Sequence, residues 1–240
     1  MKTFDINADL GEGTGIEANI LPLLNSCNIA CGGHAGDLDE IKRVVDLAIQ
    51  NKVRIGAHPS YPDKDNFGRK PMYLNSSVLF DSIYEQIERL LKVTGSQLLH
   101  HIKPHGALYH KCNFDKQTAQ ILLNVIHKLC PEVVLFVLPR SPMSKWAFQS
   151  GIRVWHEVFI DRRYQDNGRL IPRSEPGAVL EKKEDLFNQF YNLVQMHEVI
   201  TKNGKLLRFK YNTLCIHGDH PNAVNHLKYI LNRYNKIAST

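Results

Sequence analysis

The stretch SCNIACGGHAGDLDEIKRVVDLAIQNKVRIGAH, residues 26–58, decides the fold. Its apolar start, 26–32, and its end, RIGAH at 54–58, have the composition of strands. Apolar residues between them recur at the spacing of one helix face: Leu38, Ile41, Val44, Val45 and Ala48. Asp37 with Glu40 three residues later resembles a capping box and predicts where this helix begins. The stretch therefore predicts a strand, a helix and a second strand.

The same alternation runs along the whole chain. Strands are predicted at 3–10, 26–32, 54–58, 98–106, 133–139, 152–159 and 212–218. Further helical patterns cover 76–94, 115–129, 184–201 and 221–235. Repeated strand and helix units predict an α/β fold with a parallel sheet, either open and doubly wound or closed into a barrel. In both cases ligands bind at the carboxyl ends of the strands.

Length and composition narrow the class of protein. The 240 residues, 43% of them hydrophobic, suit one (β/α) domain spanning residues 1–240. No run approaches the roughly 18 apolar residues of a membrane helix, and the first residues lack a signal-peptide pattern, so we expect a soluble, cytoplasmic protein. The net charge of +6 comes from scattered basic residues, often beside acidic ones, which favours a solvated surface over a nucleic-acid site.

Several common chemistries lack their motifs. The five cysteines contain no CxxC pair, which favours reduced thiols. In a strand, Cys27 and Cys31 would lie about 13 Å apart, too far to share a zinc ion. DLGEGTG, residues 9–15, is glycine-rich but has no GxxxxGK[ST] pattern, and no GxSxG occurs. A Walker-type ATP site and acyl transfer on serine are therefore not predicted.

Ionisable residues cluster at or just after the predicted strand ends. They are Asp9, Glu12, His34, Asp37, His58, Asp63, Lys103, His105, Glu157, Asp161, Arg162, His217 and Asp219. A solvated rim is also polar, so any one of them suits a capping or structural role. Six strand ends that each carry such groups nevertheless match the way barrel active sites are assembled. The glycines at 32, 33 and 36 would turn the chain sharply so that His34 reaches this site.

Three stretches carry the most specific signals. GAHPSYPD, 56–63, presents His58 as a metal ligand or general base, or else as a surface histidine in a proline-stiffened turn. IKPHGALYHK, 102–111, puts Lys103 and His105 on one face of a strand, with Tyr109 lining the same pocket. We assign His100, His101 and His110 to the surface or to packing. The loop at 157–178 carries arginines that could clamp a carboxylate or phosphate, or could form internal ion pairs.

Together these motifs resemble the LamB/YcsF family, the family of 5-oxoprolinase A subunits. The likeness runs in order through DINADLGEGTG, NIACGGHAGD, IGAHPSYPD with FGRKPM, IKPHGALY, FIDRRYQDNGRLIPRSEPGAV and TLCIHGDHPNAV. It spans nearly the whole chain. Gly33 stands where an aromatic residue is often expected, but the ionisable positions are intact.

The resemblance implies a seven-stranded (β/α) barrel related to the glycoside hydrolase/deacetylase group. It also implies ATP-dependent opening of 5-oxoproline to L-glutamate together with partner subunits B and C, which would bind ATP at least in part. Under this hypothesis Asp9, His34 and His58 orient or deprotonate water, and Lys103 and His105 stabilise charge or donate a proton. Asp161 joins this catalytic group. The expected substrate-binding residues are Glu12, Asp37, Asp63, Arg69, Tyr109, Glu157, Arg162, Arg173, His217 and Asp219.

Two other hypotheses remain open at this point. Asp9, His34 and His58 could instead hold a divalent metal ion in a hydrolase or deacetylase of small amides or acetylated sugars. Alternatively, the chain could be a noncatalytic subunit that binds substrate for a partner. The sequence does not decide whether a metal is bound.

Overall fold

The computed structural model describes residues 4–220 and 222–239, so Thr3 and Pro221, in the predicted first strand and last helix, lie outside it. The strands, in chain order, are β1 (Asp5–Leu10), β2 (Ser26–Ala30), β3 (Arg54–His58), β4 (Leu99–Ile102), β5 (Val134–Val137), β6 (Arg153–Phe159), β7 (Glu198–Ile200), β8 (Leu206–Arg208) and β9 (Thr213–Cys215). Seven of them form a closed barrel in the order β1-β2-β3-β4-β5-β6-β9. Every neighbouring pair in the barrel is parallel. The barrel expected from the resemblance is confirmed.

Helices cover the outside of the barrel. They are α1 (Glu17–Ile20), α2 (Leu38–Gln50), α3 (Ser76–Leu98), α4 (Gly106–Phe114), α5 (Lys116–Leu129), α6 (Pro142–Gln149), α7 (Lys183–Met196) and α8 (Ala223–Ala238), with a 3-10 turn at Leu21–Leu23. In α2 the predicted apolar face is buried except for Leu38, and Asp37 Oδ1 accepts the Glu40 N–H at 2.8 Å. Within the two described ranges, no helix is both long enough and apolar enough to cross a membrane.

The predicted helix over 184–201 is wrong beyond Met196. His197 has a left-handed backbone, with φ +57°, which ends α7. The following residues form β7, which pairs antiparallel with β8. Asn203 and Gly204 stand between these strands, and Gly204 has φ +82°. An Asn-Gly pair between apolar runs is a strong hairpin signal, so the sequence did carry a clue to this hairpin.

Strand β4 ends earlier than the sequence predicts, at Ile102, so Lys103 and His105 lie beyond it. Backbone hydrogen bonds to the β3 side nevertheless continue through both residues, because the His105 N–H donates to Pro59 O at 2.8 Å. The Lys103 N–H donates to Ala57 O at 2.9 Å, and His105 is the extended residue that precedes α4. Both side chains are nevertheless buried at the mouth of the barrel.

Polar side chains fill part of the barrel interior and connect it to that mouth. Asn28 Nδ2 donates to Asn7 Oδ1 and to Asp9 Oδ1, each at 2.8 Å. Asn28 Oδ1 lies 2.7 Å from His101 Nε2, which therefore donates to it. Asn7 in turn donates to Thr213 Oγ1 at 2.8 Å. Burying a polar group without a hydrogen bond costs free energy, so each member of this hydrogen-bond network is held in one orientation. The network thereby fixes the side chain of Asp9 from inside the barrel.

Candidate active site

A buried ion pair between Asp9 and Lys103 lies at the carboxyl ends of the strands. Lys103 Nζ is 2.8 Å from Asp9 Oδ1, 3.0 Å from Glu157 Oε1 and 3.1 Å from Cys215 Sγ. Burial alone would raise the pKa of Asp9, but His58, Lys103 and His217 hold it well below its usual value. Burial likewise opposes the charge of Lys103, yet Asp9, Cys215 and Glu157 keep its pKa well above the ordinary value. The site thus holds a fixed carboxylate and a fixed ammonium.

Glu157 is the second carboxylate that pairs with the Lys103 ammonium. It is fully buried on β6. Burial raises its pKa, and Lys103 partly opposes that shift. It supports Lys103 from within the barrel and lies outside the residues that line the open pocket.

Three histidines and Glu12 form a compact cluster beside Asp9. Glu12 Oε1 lies 3.0 Å from His34 Nε2, 3.5 Å from His105 Nδ1 and 3.9 Å from His58 Nε2. His58 Nε2 is 2.9 Å from His105 Nδ1 and 3.4 Å from Asp9 Oδ2. The rings of His34 and His105 are stacked, with centroids 3.7 Å apart. Burial, together with repulsion from neighbouring histidines, lowers the pKa of His34 and lowers that of His105 further.

The loop after β3 holds this cluster in place. His105 Nε2 donates to Phe67 O at 2.9 Å, and the Ala107 N–H donates to Gly68 O at 3.0 Å. Gly68 has φ +62°, and a Cβ there would lie 3.0 Å from His34 Cβ and 3.1 Å from His105 Cδ2. Only glycine therefore combines this backbone conformation with so close an approach to the histidines.

A fourth histidine, His217, is oriented by Asp161. His217 Nδ1 lies 2.8 Å from Asp161 Oδ2, and its Nε2 lies 4.0 Å from Asp9 Oδ2. Although burial would raise the pKa of Asp161, His217 and the nearby Arg173 and Arg162 hold it well below its usual range. An ionised carboxylate that fixes a histidine tautomer is the arrangement of many acid–base sites.

These groups open into a pocket of about 590 Å³. Its ionisable lining includes Asp9, His58, Lys103, His105 and His217, and its apolar lining includes Tyr109, Phe159, Leu170 and Pro172. This volume suits a small molecule, and a few convergent polar groups on an apolar wall are typical of ligand sites.

Arginines from two loops, the one after β3 and the one after β6, surround the same pocket. Arg173 Nη1 lies 2.8 Å from Asp219 Oδ2, and Arg69 pairs with that oxygen from the other side. Arg162 Nη2 donates to Ile171 O at 2.5 Å. The buried Nε of Arg162 has no hydrogen-bond partner among the described residues. The rim therefore retains donor capacity for an anion.

Five of the expected substrate-binding residues lie outside the pocket lining: Glu12, Asp37, Asp63, Glu157 and Asp219. Asp37 is exposed and caps α2. Asp63 Oδ1 accepts the Asn66 backbone N–H at 3.2 Å and its side-chain amide at 2.8 Å, which shapes the loop. Glu12 and His34 belong to the histidine cluster behind the open cavity.

Some residues that the sequence reasoning missed do line the pocket. His110, which we assigned to the surface or to packing, is one of them, and Asn66, Lys70 and Ser174 are others. Burial and the neighbouring Arg162 and His217 lower the pKa of His110 to about 4. The sequence did contain a clue to His110. If a helix begins at Gly106, His110 lies one helical turn further along, on the same face as the helix start.

The fold and this site define a seven-stranded (β/α) barrel with an acid–base pocket at the carboxyl ends of its strands. The model of the LamB/YcsF family matches residues 4–239. The chain belongs to the LamB/YcsF family.

Known proteins resemble the chain over nearly its whole length. The A subunit of 5-oxoprolinase from Haemophilus influenzae (strain PittEE) is 37% identical over 238 residues, which cover 98% of this chain and 97% of the relative. The crystal structure of a lactam utilization protein from Thermus thermophilus has a TM-score of 0.89 and 34% identity, covering 98% of this chain and 97% of that one. A family 4 carbohydrate esterase from Streptomyces lividans has a TM-score of 0.52 at 8% identity, covering 98% and 89% of the two chains, and shares the fold alone.

Proposed function

We propose that this chain is the A component of a multi-subunit 5-oxoprolinase, which opens 5-oxo-L-proline to L-glutamate at the expense of ATP with partner subunits B and C. The observation that carries the proposal is 37% identity to the A component of a known 5-oxoprolinase over 98% of this chain. The pocket at the strand ends is consistent with it. A lactam utilization protein of 34% identity has the same fold, which gives further support.

The pocket suits the chemical groups of 5-oxoproline. The substrate is a small lactam that carries one carboxylate. The free Nε of Arg162 and the guanidinium of Arg173 could bind that carboxylate, because both residues line the pocket. The ring would then lie against Tyr109 and Phe159, and the lactam carbonyl beside Lys103.

One position in the pocket is suited to the attacking water. Asp9 uses Oδ1 for Lys103 and Asn28, while its Oδ2 lies 3.4 Å from His58 Nε2 and 4.0 Å from His217 Nε2. A water at about 2.8 Å from both Oδ2 and His217 Nε2 fits between them. His217 could then remove a proton from this water, with Asp161 stabilising the resulting imidazolium. Lys103 would stabilise negative charge that develops on the substrate.

The role of ATP follows from the low reactivity of an unactivated lactam. Phosphorylation of the lactam oxygen would activate the ring carbon for attack by a positioned water. The tetrahedral adduct would then break its C–N bond as the ring nitrogen takes a proton, and a second water would release phosphate from the resulting acyl phosphate to give glutamate. The sequence has no Walker motif, so we assign ATP binding at least partly to the partner subunits. The arginine rim would accept either the carboxylate or the transferred phosphate.

The test follows glutamate and ADP released from 5-oxoproline and ATP. The purified chain is assayed alone and with subunits B and C, and His217→Gln is compared with the unmodified chain. The proposal expects turnover only in the full mixture and its loss with the variant. Normal glutamate formation by the variant would remove His217 from the mechanism, and intact formation after every strand-end substitution would make the chain a noncatalytic binding subunit.

A second candidate function is metal-dependent hydrolysis of small amides or acetylated sugars. The observation that favours it is the convergence of donor atoms from Glu12, His34, His58 and His105 within 4.8 Å of one another. This set differs from the expected Asp9, His34 and His58, because Asp9 Oδ1 is bound to Lys103. Metal-supported hydrolysis by the chain alone, without ATP or partners, would identify this function.

A further inference from the structure

The backbone determines which nitrogen of His58 and of His105 carries a proton. His58 Nδ1 lies 2.7 Å from Lys103 O, and His105 Nε2 lies 2.9 Å from Phe67 O. Because a carbonyl oxygen can only accept, both of these nitrogens are donors. In their neutral forms, His58 and His105 therefore have lone pairs on Nε2 and Nδ1, respectively.

These two lone pairs point at the same place. His58 Nε2 and His105 Nδ1 are only 2.9 Å apart, so two acceptors would face each other at hydrogen-bond distance. Glu12 Oε1 adds a third acceptor, 3.5 Å from His105 Nδ1 and 3.9 Å from His58 Nε2. All three side chains are almost completely buried. Such a group of acceptors requires a cation or an additional proton among them.

We propose that His58 Nε2, His105 Nδ1 and Glu12 Oε1 bind one divalent transition-metal ion. Zinc bonds of about 2.0–2.1 Å place tetrahedral ligand atoms about 3.4 Å apart. The three separations here, 2.9, 3.5 and 3.9 Å, bracket that value. The two rings are inclined at 82°, so one ion can lie in the planes of both.

The surroundings of the three ligands also match a metal site. Histidine ligands are usually oriented by a hydrogen bond from the other ring nitrogen to a carbonyl or carboxylate. Lys103 O and Phe67 O provide these bonds for His58 and His105. His58 and His105 line the pocket, so the fourth coordination position faces the space that substrate would enter. Three protein ligands with an open position are characteristic of catalytic zinc sites.

His34 is assigned a different role. Its ring is parallel to that of His105 within 3° at 3.7 Å, so one ion cannot lie in both ring planes. Its Nδ1 has no partner among the described residues, and its Nε2 donates to Glu12 Oε1 at 3.0 Å. His34 is therefore a positioning residue that orients the carboxylate.

The ion would supply a Lewis acid and a bound water of lowered pKa next to Asp9. Metal binding goes beyond the proposed reaction and does not depend on it. It is measured without substrate, ATP or partner subunits, so a failure of this inference and a failure of the proposed function can be told apart.

The experiment measures binding of Zn²⁺ to the full chain after treatment with a transition-metal chelator. Calorimetry and elemental analysis should give one Zn²⁺ per chain, and Co²⁺ should give the visible spectrum of a tetrahedral site. Glu12→Gln and His58→Gln should each weaken binding by at least about tenfold, and His34→Asn by about 10–100-fold. His127→Asn, a change at an exposed helical position, is the matched control and should bind normally.

The overturning results are equally specific. Folded, unmodified protein that binds no Zn²⁺ would show that His58 and His105 share a proton instead. Equal affinity in Glu12→Gln, or in His58→Gln, would also overturn the assignment. Near-UV circular dichroism identifies variants that fail to fold. If both ligand variants fail to fold, the Co²⁺ spectrum of the unmodified protein decides, because an octahedral spectrum contradicts the proposed site.

Discussion

His217 is held by Asp161 through both its ring and its backbone: its Nδ1 lies 2.8 Å from Oδ2 and 3.0 Å from Oδ1, and its backbone N–H donates to Oδ2 at 3.1 Å. Because the carboxylate accepts from Nδ1, the other ring nitrogen is free to accept a proton from the pocket side. The structure thus pairs Asp161, which was expected to be catalytic, with His217, which was expected to bind substrate. The imidazole is the partner that lines the pocket.

The first prediction concerns this pair. Asp161→Asn should lower kcat for glutamate formation in the complete complex by about 10²–10⁴-fold, because the amide would favour the wrong histidine tautomer. Asp46→Asn, on the exposed side of α2, is the control and should leave kcat unchanged. A folded Asp161→Asn variant with normal kcat would remove His217 from the acid–base role.

A second prediction concerns Lys103. Lys103→Met should reduce the free energy of unfolding by about 3–5 kcal/mol, because it leaves Asp9 and Glu157 buried without their cation. Lys92→Met removes a lysine from an exposed pair with Glu88 and should cost no more than about 1 kcal/mol. Urea unfolding measures both.

The double variant Asp9→Asn/Lys103→Met tests the physical reason for that loss. Since it removes a negative charge together with the ammonium, its loss of stability should be smaller than the sum of the two single losses. Additive losses would mean that the two side chains stabilise the barrel independently.

The third prediction compares two glycines with similar φ angles. Gly68 has φ +62° and Gly95 has φ +65°, but a Cβ meets close atoms only at Gly68. Gly95→Ala should cost about 1–3 kcal/mol for the backbone conformation alone, because φ +65° with ψ 167° is a combination that essentially only glycine adopts. Gly68→Ala should cost more and should reduce glutamate formation, because its methyl group would displace His34 or His105. Chemical denaturation and activity assays measure these effects, and equal losses of stability in both variants would contradict the close packing.

The fourth prediction is a pH dependence that comes from His110. Burial and nearby arginines lower its pKa from 6.5 to about 4. Between these values the unfolded chain binds more protons than the folded chain, so the His110 contribution should lower stability as pH falls from 6.5 towards 4. The ring resonances in an NMR titration should show a neutral imidazole down to about pH 4. The stability of His110→Gln should change less over this interval, and a measured pKa near 6.5 would contradict the buried environment.

The barrel strands could be predicted because their apolar runs differ in period from the intervening helices. The hairpin of β7 and β8 was missed because apolar residues of α7 continue into 198–201 without a glycine or proline to mark the end. His197 ends the helix with a left-handed backbone instead, which is uncommon for residues other than glycine. Asn203 and Gly204 were the residues that indicated a hairpin in this segment.

The site was predictable as a set of strand ends but not as a set of contacts. Strand order places Asp9, His58, Lys103 and His217 at one mouth of the barrel, and this needs no side-chain geometry. The contact of Glu12 with three histidines depends on the path of two loops. Local sequence also could not reveal that Asp37 faces solvent, because aspartate is a common residue type both at helix N-caps and in active sites. Assigning His110 to the surface or to packing similarly hid its approach to the pocket.

The position of β9 has a consequence for synthesis of the protein. β9 pairs with β1 on one side and with β6 on the other, so it closes the barrel. A nascent polypeptide that has not yet emerged from the ribosome beyond Thr213 leaves an edge of β1 and an edge of β6 without partners. Unpaired edges recruit strands from other molecules. The risk of aggregation is therefore concentrated in the interval of translation between β6 and β9.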